Sequence, residues 1–147
     1  SLKRIKKNVA IYRINFENEL VLDTTYNSFL QSETVFEGKK ALILPDWIEF
    51  YLNRQIKVKN ANRIYISAWV KNPEEFNLCL SSDKFQFNAL SGKVVDHKKG
   101  WDKIELYKTI PDNLKNQTLD FFVWKLQRNY AYIDNVTIVL IHEKLVE

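Results

Sequence analysis

RIYISAWVKNP, running from Arg63 to Pro73, alternates two sets of side chains along its length. Ile64, Ile66, Ala68 and Val70 fall on one face of an extended chain, and Tyr65, Ser67, Trp69 and Lys71 fall on the other. The first set reads as the core face of a β-strand. The second departs from a solvent face, because a tyrosine and a tryptophan stand where polar groups are expected. Either a second apolar layer covers them, or they form a surface on which a planar, partly apolar ligand stacks.

The same period recurs on both sides of this run. AIYRINFE aligns Tyr12, Ile14 and Phe16; after KALIL and the Pro45-Asp46 break, WIEFYL aligns Ile48, Phe50 and Leu52. QIKV, FNLCL, KFQFNAL, WDKIELY, TLDFFVWKL and YIDNVTIVLI continue the pattern, with the turn-rich IPDNLKNQ as a link. The pattern predicts roughly nine to ten strands. No segment has a helical period, although NPEEF can open one helical turn. The stretch from Asp23 to Glu37 is polar and poor in β-formers, and reads as a long loop. Short strands separated by turn signals, many apolar on both faces, predict an all-β jelly-roll β-sandwich.

Its 147 residues suit one domain with a sizeable core. The expected division is a basic N-terminal tail or linker over residues 1–8, a single β-sandwich over 9–143 and a C-terminal tail over 144–147. Hydrophobic residues at 46% and charged residues at 27% argue against wholesale disorder. Aromatics reach 14%, which suits sheets and also surfaces that stack sugars or bases. The net charge of +4 sits partly in KRIKKN, residues 3–8, the expected solvated tail. The single Cys79 forbids an internal disulfide, and its place in FNLCL suits an unreactive, partly buried thiol. No apolar stretch approaches the ~18 residues of a membrane span, and the opening at Ser1 without methionine reads as a piece cut from a longer protein.

Active-site signatures are missing. His97 and His142 stand apart, with no HExxH, cysteine partner or paired-histidine spacing to bind a transition metal. No G-x-S-x-G or phosphate-cradling glycine loop occurs. The acids are scattered beside lysines, so no glycosidase-like carboxylate pair stands out. The chain therefore reads as no enzyme. Nucleic-acid binding is disfavoured by the small charge excess and the absence of an RNP-like or zinc signature.

Aromatics out of phase with the core recur on three runs. Trp47 and Tyr51 join Tyr65 and Trp69, and Trp124 stands in TLDFFVWKL with Phe122 beside it. Sugar rings present C–H patches that stack on such rings while their hydroxyls seek amides and charges. Arg128, Arg54, Lys71, Gln86, Asn88, Lys125 and Gln127 are the polar flankers, with Arg128 the leading candidate. The competing reading buries the same rings under loops or a neighbouring domain. Trp101, in a turn, reads as a core plug.

NFE (15–17), EGKKALIL (37–44), IYISAWVKN (64–72), GWDKIELYKTIP (100–111) and AYIDNVTIV (131–139), in this order, resemble carbohydrate-binding modules with a galactose-binding-like jelly-roll fold. Such modules are appended to bacterial glycoside hydrolases. The resemblance implies a non-catalytic module that binds saccharide, sits outside the cytoplasm (periplasm or cell surface) and is attached to other domains of a parent chain. The alternative on the same fold is a structural or protein-interaction domain with no glycan ligand. The resemblance also implies a structural Ca2+ held by Glu17, by backbone oxygens near Gly38 and Lys40, and by Asp134. Asn18-Glu19 and Glu37 depart from the family pattern near that position. On its own chemistry, Asp134 equally suits a turn cap or a lysine partner.

Overall fold

The computed structural model describes residues 1–17, 29–47, 50–82, 87–91, 93–126 and 128–147, with the side chains of 50 and 87–91 left aside. Eleven strands are seen among these residues: β1 Lys3–Ile14, β2 Leu30–Gln31, β3 Ala41–Leu44, β4 Phe50–Lys57, β5 Arg63–Lys71, β6 Phe76–Ser82, β7 Phe87–Ser91, β8 Lys93–Lys98, β9 Trp101–Thr109, β10 Thr118–Lys125 and β11 Ala131–Val146. They form two antiparallel sheets. One runs β2-β3-β11-β5-β9-β8 with β1 also on β11; the other runs β4-β10-β6-β7. The single helical turn expected at NPEEF is a 3-10 turn over Pro73–Glu75.

The alternation in RIYISAWV sets the packing. Ile64, Ile66, Ala68 and Val70 are fully buried against the second sheet, where Leu78, Leu80, Leu119, Phe121 and Val123 close the core from the other side. Burying such side chains contributes roughly 1.5–3 kcal/mol each, and this term holds the two sheets together.

The long strand β11 organises the seven-stranded sheet. Its residues Ala131–Ile133 pair with β3 and its residues Val136–Val146 pair with β1, so β3 and β1 lie end to end along one edge. The changeover falls at Asp134 and Asn135. There the β11–β5 register shifts, and Asn135 takes a left-handed φ of 47°. A bulge places one extra residue in the strand and re-aims its neighbours. Ile133 and Asp134 are therefore consecutive and both buried.

Three expectations change. Residues 3–8 are a strand rather than a basic tail, because they pair residue for residue with Ile141–Val146. For the same reason residues 144–146 are strand and not a C-terminal tail. The predicted loop over 23–37 lies partly outside the described residues, and its described part contains the short β2.

Candidate functional site

A loop over residues 32–40 folds across the outer face of the seven-stranded sheet. Phe36 from this loop lies flat on Trp69, with ring centroids 4.1 Å apart and planes 12° apart. Phe36 also meets Trp101 edge-on at 6.1 Å, and these residues with Ala41 form a second, smaller apolar cluster bordered by Val35 and Tyr132. Trp101 is a buried plug, as its position in the sequence suggests. Trp69 is thus half-covered by the chain's own loop.

The same loop gathers two carboxylates. Asp134 Oδ2 accepts the backbone N–H groups of Phe36 (3.1 Å) and Glu37 (3.2 Å), and Oδ1 accepts that of Asn135 at 2.9 Å. Glu17 Oε1 accepts the N–H groups of Lys39 (2.7 Å) and Lys40 (3.2 Å). Gly38 sits between them with φ 72°, and a Cβ there would run into the Glu17 carboxylate. Burial pushes the Asp134 carboxyl up to about 6 despite its three N–H donors, and the negative charge of Glu17 adds to the rise. Lys40, expected to offer a backbone oxygen, contributes its N–H to Glu17. Among the described residues no group of three or more His, Cys, Asp or Glu side chains is placed to hold a metal ion.

The expected stacking residues do not form one surface. Tyr65 lies on the same outer face as Trp69, donates its hydroxyl to Glu105 Oε2 at 2.6 Å and is tilted against Tyr107. Burial, then the Glu105 bond, pushes its hydroxyl up to about 12. Trp47 is exposed and meets Phe29 edge-on at 5.7 Å. Tyr51 is fully buried in the main core. Leu52 next to it takes a left-handed φ of 57°, and the β10–β4 register shifts there, so Tyr51 and Leu52 both point inward. Arg128 is held by Glu75 Oε1 at 3.2 Å and by the Glu74 carbonyl at 3.1 Å. Lys125 is on the buried side of β10 rather than flanking a ligand, and Lys71 lies over the Trp101 ring. Gln86 and Gln127 lie outside the described residues, as does the Asn88 side chain.

Trp124 stands on the opposite side of the molecule. The outer face of β10 carries Asp120, Phe122 and Trp124, the last two half-buried. In register, Asp120 lies between Gln55 and Ser81, Phe122 opposite Cys79, and Trp124 between Phe50 and Asn77. A depression of about 360 Å³ opens on this face, walled by Asn53, Arg54, Gln55, Ser81, Asp120 and Phe122. Sequence reading singled out Trp124 and Arg54 but missed Gln55, Ser81 and Asp120, which only the cross-strand register unites. Cys79 is a buried thiol pushed up to about 11, chiefly by desolvation.

No protein-family model matches the sequence, and no curated protein matches it either. Solved structures do. The CBM22-2 xylan-binding domain of Paenibacillus barcinonensis Xyn10C aligns with 88% of this chain and 98% of its own at 15% identity, TM-score 0.54. The chain has the β-sandwich fold of carbohydrate-binding modules. The CBM22-1 xylan-binding domain of the same protein gives a TM-score of 0.48 at 12% identity, covering 93% of this chain and 86% of its own. TmCBM61 in complex with β-1,4-galactotriose gives 0.47 at 12% identity, covering 95% and 88%. No helix among the described residues is long and apolar enough to cross a membrane.

Proposed function

We propose that this chain is a non-catalytic carbohydrate-binding module that takes neutral saccharide on the outer face of its four-stranded sheet. The observation that carries this reading is the depression beside Phe122, where an aromatic wall meets two amides, a hydroxyl and a carboxylate. A sugar ring has the matching chemistry: C–H groups for Phe122 and, for a unit reaching past the depression, for Trp124 two residues along the same face, with hydroxyls for Gln55, Ser81 and Asp120. The shared fold with a xylan-binding domain supports the same reading. Several buried acids have structural duties: Asp134 gathers backbone N–H groups, Glu143 pairs with Arg63 and Arg4, and Glu75 holds Arg128. This division of labour supports a binding rather than a catalytic role. Attachment to further domains and a place outside the cytoplasm go with this proposal.

A structural Ca2+ on Glu17 and Asp134 is part of it. Two carboxylates from distant parts of the chain meet at one loop, one of them wholly buried, and a hard cation would offset their mutual repulsion. Carbonyl oxygens of the 36–40 loop would have to complete the ligand set.

Titration calorimetry with xylo- and β-1,4-galacto-oligosaccharides tests the function. Binding that is lost in Trp124→Ala and weakened in Asp120→Ala and Gln55→Ala, with the fold intact, supports it. A folded protein that binds no oligosaccharide of a broad glycan array overturns it in favour of a structural or protein-interaction domain.

A further inference from the structure

The outer face of the seven-stranded sheet carries a second concavity, of about 280 Å³, away from the β10 depression. Its floor is a cross-strand row: Thr137 of β11 lies between Arg13 of β1 and Ser67 of β5. Trp69 forms one wall, and Lys103 stands opposite Trp69 on β9. Asn15 and Asn135 add amides at the rim.

Charge sets this site apart. Arg13 and Lys103 both line it, and neither makes an ion pair among the described residues. The one acid in the lining, Glu37, already accepts the Asn135 side-chain amide at 2.7 Å. Glu105 follows Ser67 in the same row on β9 and accepts the Tyr65 hydroxyl at 2.6 Å. Two cations without an ion-pair partner among the described residues, set beside an indole and two hydroxyls, suit an amphipathic ligand that carries a negative charge. The volume of about 280 Å³ lies just below the ~300–1,000 Å³ of drug-sized ligand sites, which suits about one sugar unit. A single aromatic wall offers no run of stacking platforms for successive bases, which disfavours single-stranded nucleic acid.

We propose that this concavity is a second saccharide site that takes an acidic sugar unit, its carboxylate held between Arg13 and Lys103 and its ring against Trp69. Arg13 supplies the planar fork that matches a carboxylate, and Lys103 supplies a point charge. Ser67, Thr137 and the two asparagines offer both donors and acceptors to ring hydroxyls. The site is independent of the neutral-saccharide reading, because its residues lie on the other sheet.

The test is calorimetry of the whole chain with oligogalacturonate and with its methyl ester, which keeps the shape and removes the charge. Oligogalacturonate is expected to bind, and the ester to bind about tenfold or more weakly, the scale of a lost charge-assisted contact. Arg13→Gln and Lys103→Gln should each weaken the acid to a similar degree and leave the melting temperature unchanged. Asp120→Ala should leave acid binding intact, which separates this site from the one on β10. Equal binding of acid and ester, no binding of either, or an acid affinity untouched by Arg13→Gln overturns the proposal. So does competition by an oligonucleotide at equal charge concentration as strong as that by oligogalacturonate.

Discussion

Phe36 stacks on Trp69 at 4.1 Å although the two residues belong to a loop and to a central strand of the seven-stranded sheet. The stack explains why a strand whose core face is complete carries a tryptophan on its other side. The loop needs an apolar anchor to lie on the sheet, and Trp69 provides it. Parallel ring stacks contribute about 0.5–1.5 kcal/mol beyond the area they bury.

Removing the anchor should therefore cost stability and not neutral-sugar affinity. Phe36→Ala is expected to lower unfolding free energy by about 3–5 kcal/mol, the scale of truncating a buried phenylalanine. Denaturant titration measures the loss, and oligosaccharide affinity at Trp124 should stay at the parent value. A loss of neutral-sugar binding with unchanged stability would assign Phe36 to a ligand site instead.

Asp134 gives the molecule a pH dependence of definite sign. Its folded-state pKa is about 6, above the ordinary carboxylate value of 3.8. Between these values the folded state holds the proton more tightly than the unfolded chain does. In chelator, this group's contribution is complete below pH about 4 and is lost as pH rises through about 6. Thermal melts across that range should show the decline, and Asp134→Asn should flatten it. Calcium acts in the opposite sense, because it binds the ionised form. Added calcium should raise the melting temperature most at neutral pH, and EGTA should reverse it. Melting curves that ignore both additions count against the ion.

Gly38 and Glu17 are coupled through space that only a missing side chain leaves open. Gly38→Ala combines a collision with the Glu17 carboxylate and a left-handed backbone, the latter alone costing roughly 1–2 kcal/mol. In a Glu17→Ala background the collision disappears and only the backbone cost remains. The double-mutant cycle should show that Gly38→Ala is markedly less harmful in that background. Equal costs in both backgrounds would separate the two residues.

The strands and the two-sheet architecture were legible because alternation is a local signal. Ile64 to Val70 and Leu119 to Val123 each bury every second residue as their pattern predicts. The inward turn of Tyr51 is not legible in the sequence, because one left-handed residue, Leu52, reverses the phase of β4 and no local pattern announces a bulge. The partner of Trp69 was illegible for another reason: a lone phenylalanine in a polar loop gives no hint of where the loop will lie. Asp134 drew notice from its apolar neighbours, but its meeting with Glu17 at one loop is a consequence of topology. The basic N-terminal run looked like a solvated tail because its charges hide a strand whose pairing partner lies at the far end of the chain.

Glu75 supplies the last test, because it explains why Arg128 stands where it does. Glu75 and Lys125 are both wholly buried, and Lys125 Nζ donates to the Leu126 carbonyl at 3.0 Å. Glu75 Oε1 takes Arg128 and the Asn129 amide (3.3 Å), while Oε2 has no hydrogen-bond partner among the described residues. Burial lowers the Lys125 pKa, and the charges of Glu75 and Asp46 oppose that shift. Glu75 thus compensates two cations at once. Removing one member of a buried charged group costs more than replacing the whole group with apolar residues, because the partner's charge is left uncompensated. Glu75→Ala should therefore destabilise by about 3–5 kcal/mol. Arg128→Ala should cost less, since its side chain is largely in water, but should act on stability rather than on sugar affinity. Lys125→Met combined with Glu75→Leu should recover much of the loss. Denaturant unfolding of the three variants gives the ranking. An Arg128→Ala protein with parent stability and weakened oligosaccharide binding would return Arg128 to the ligand site.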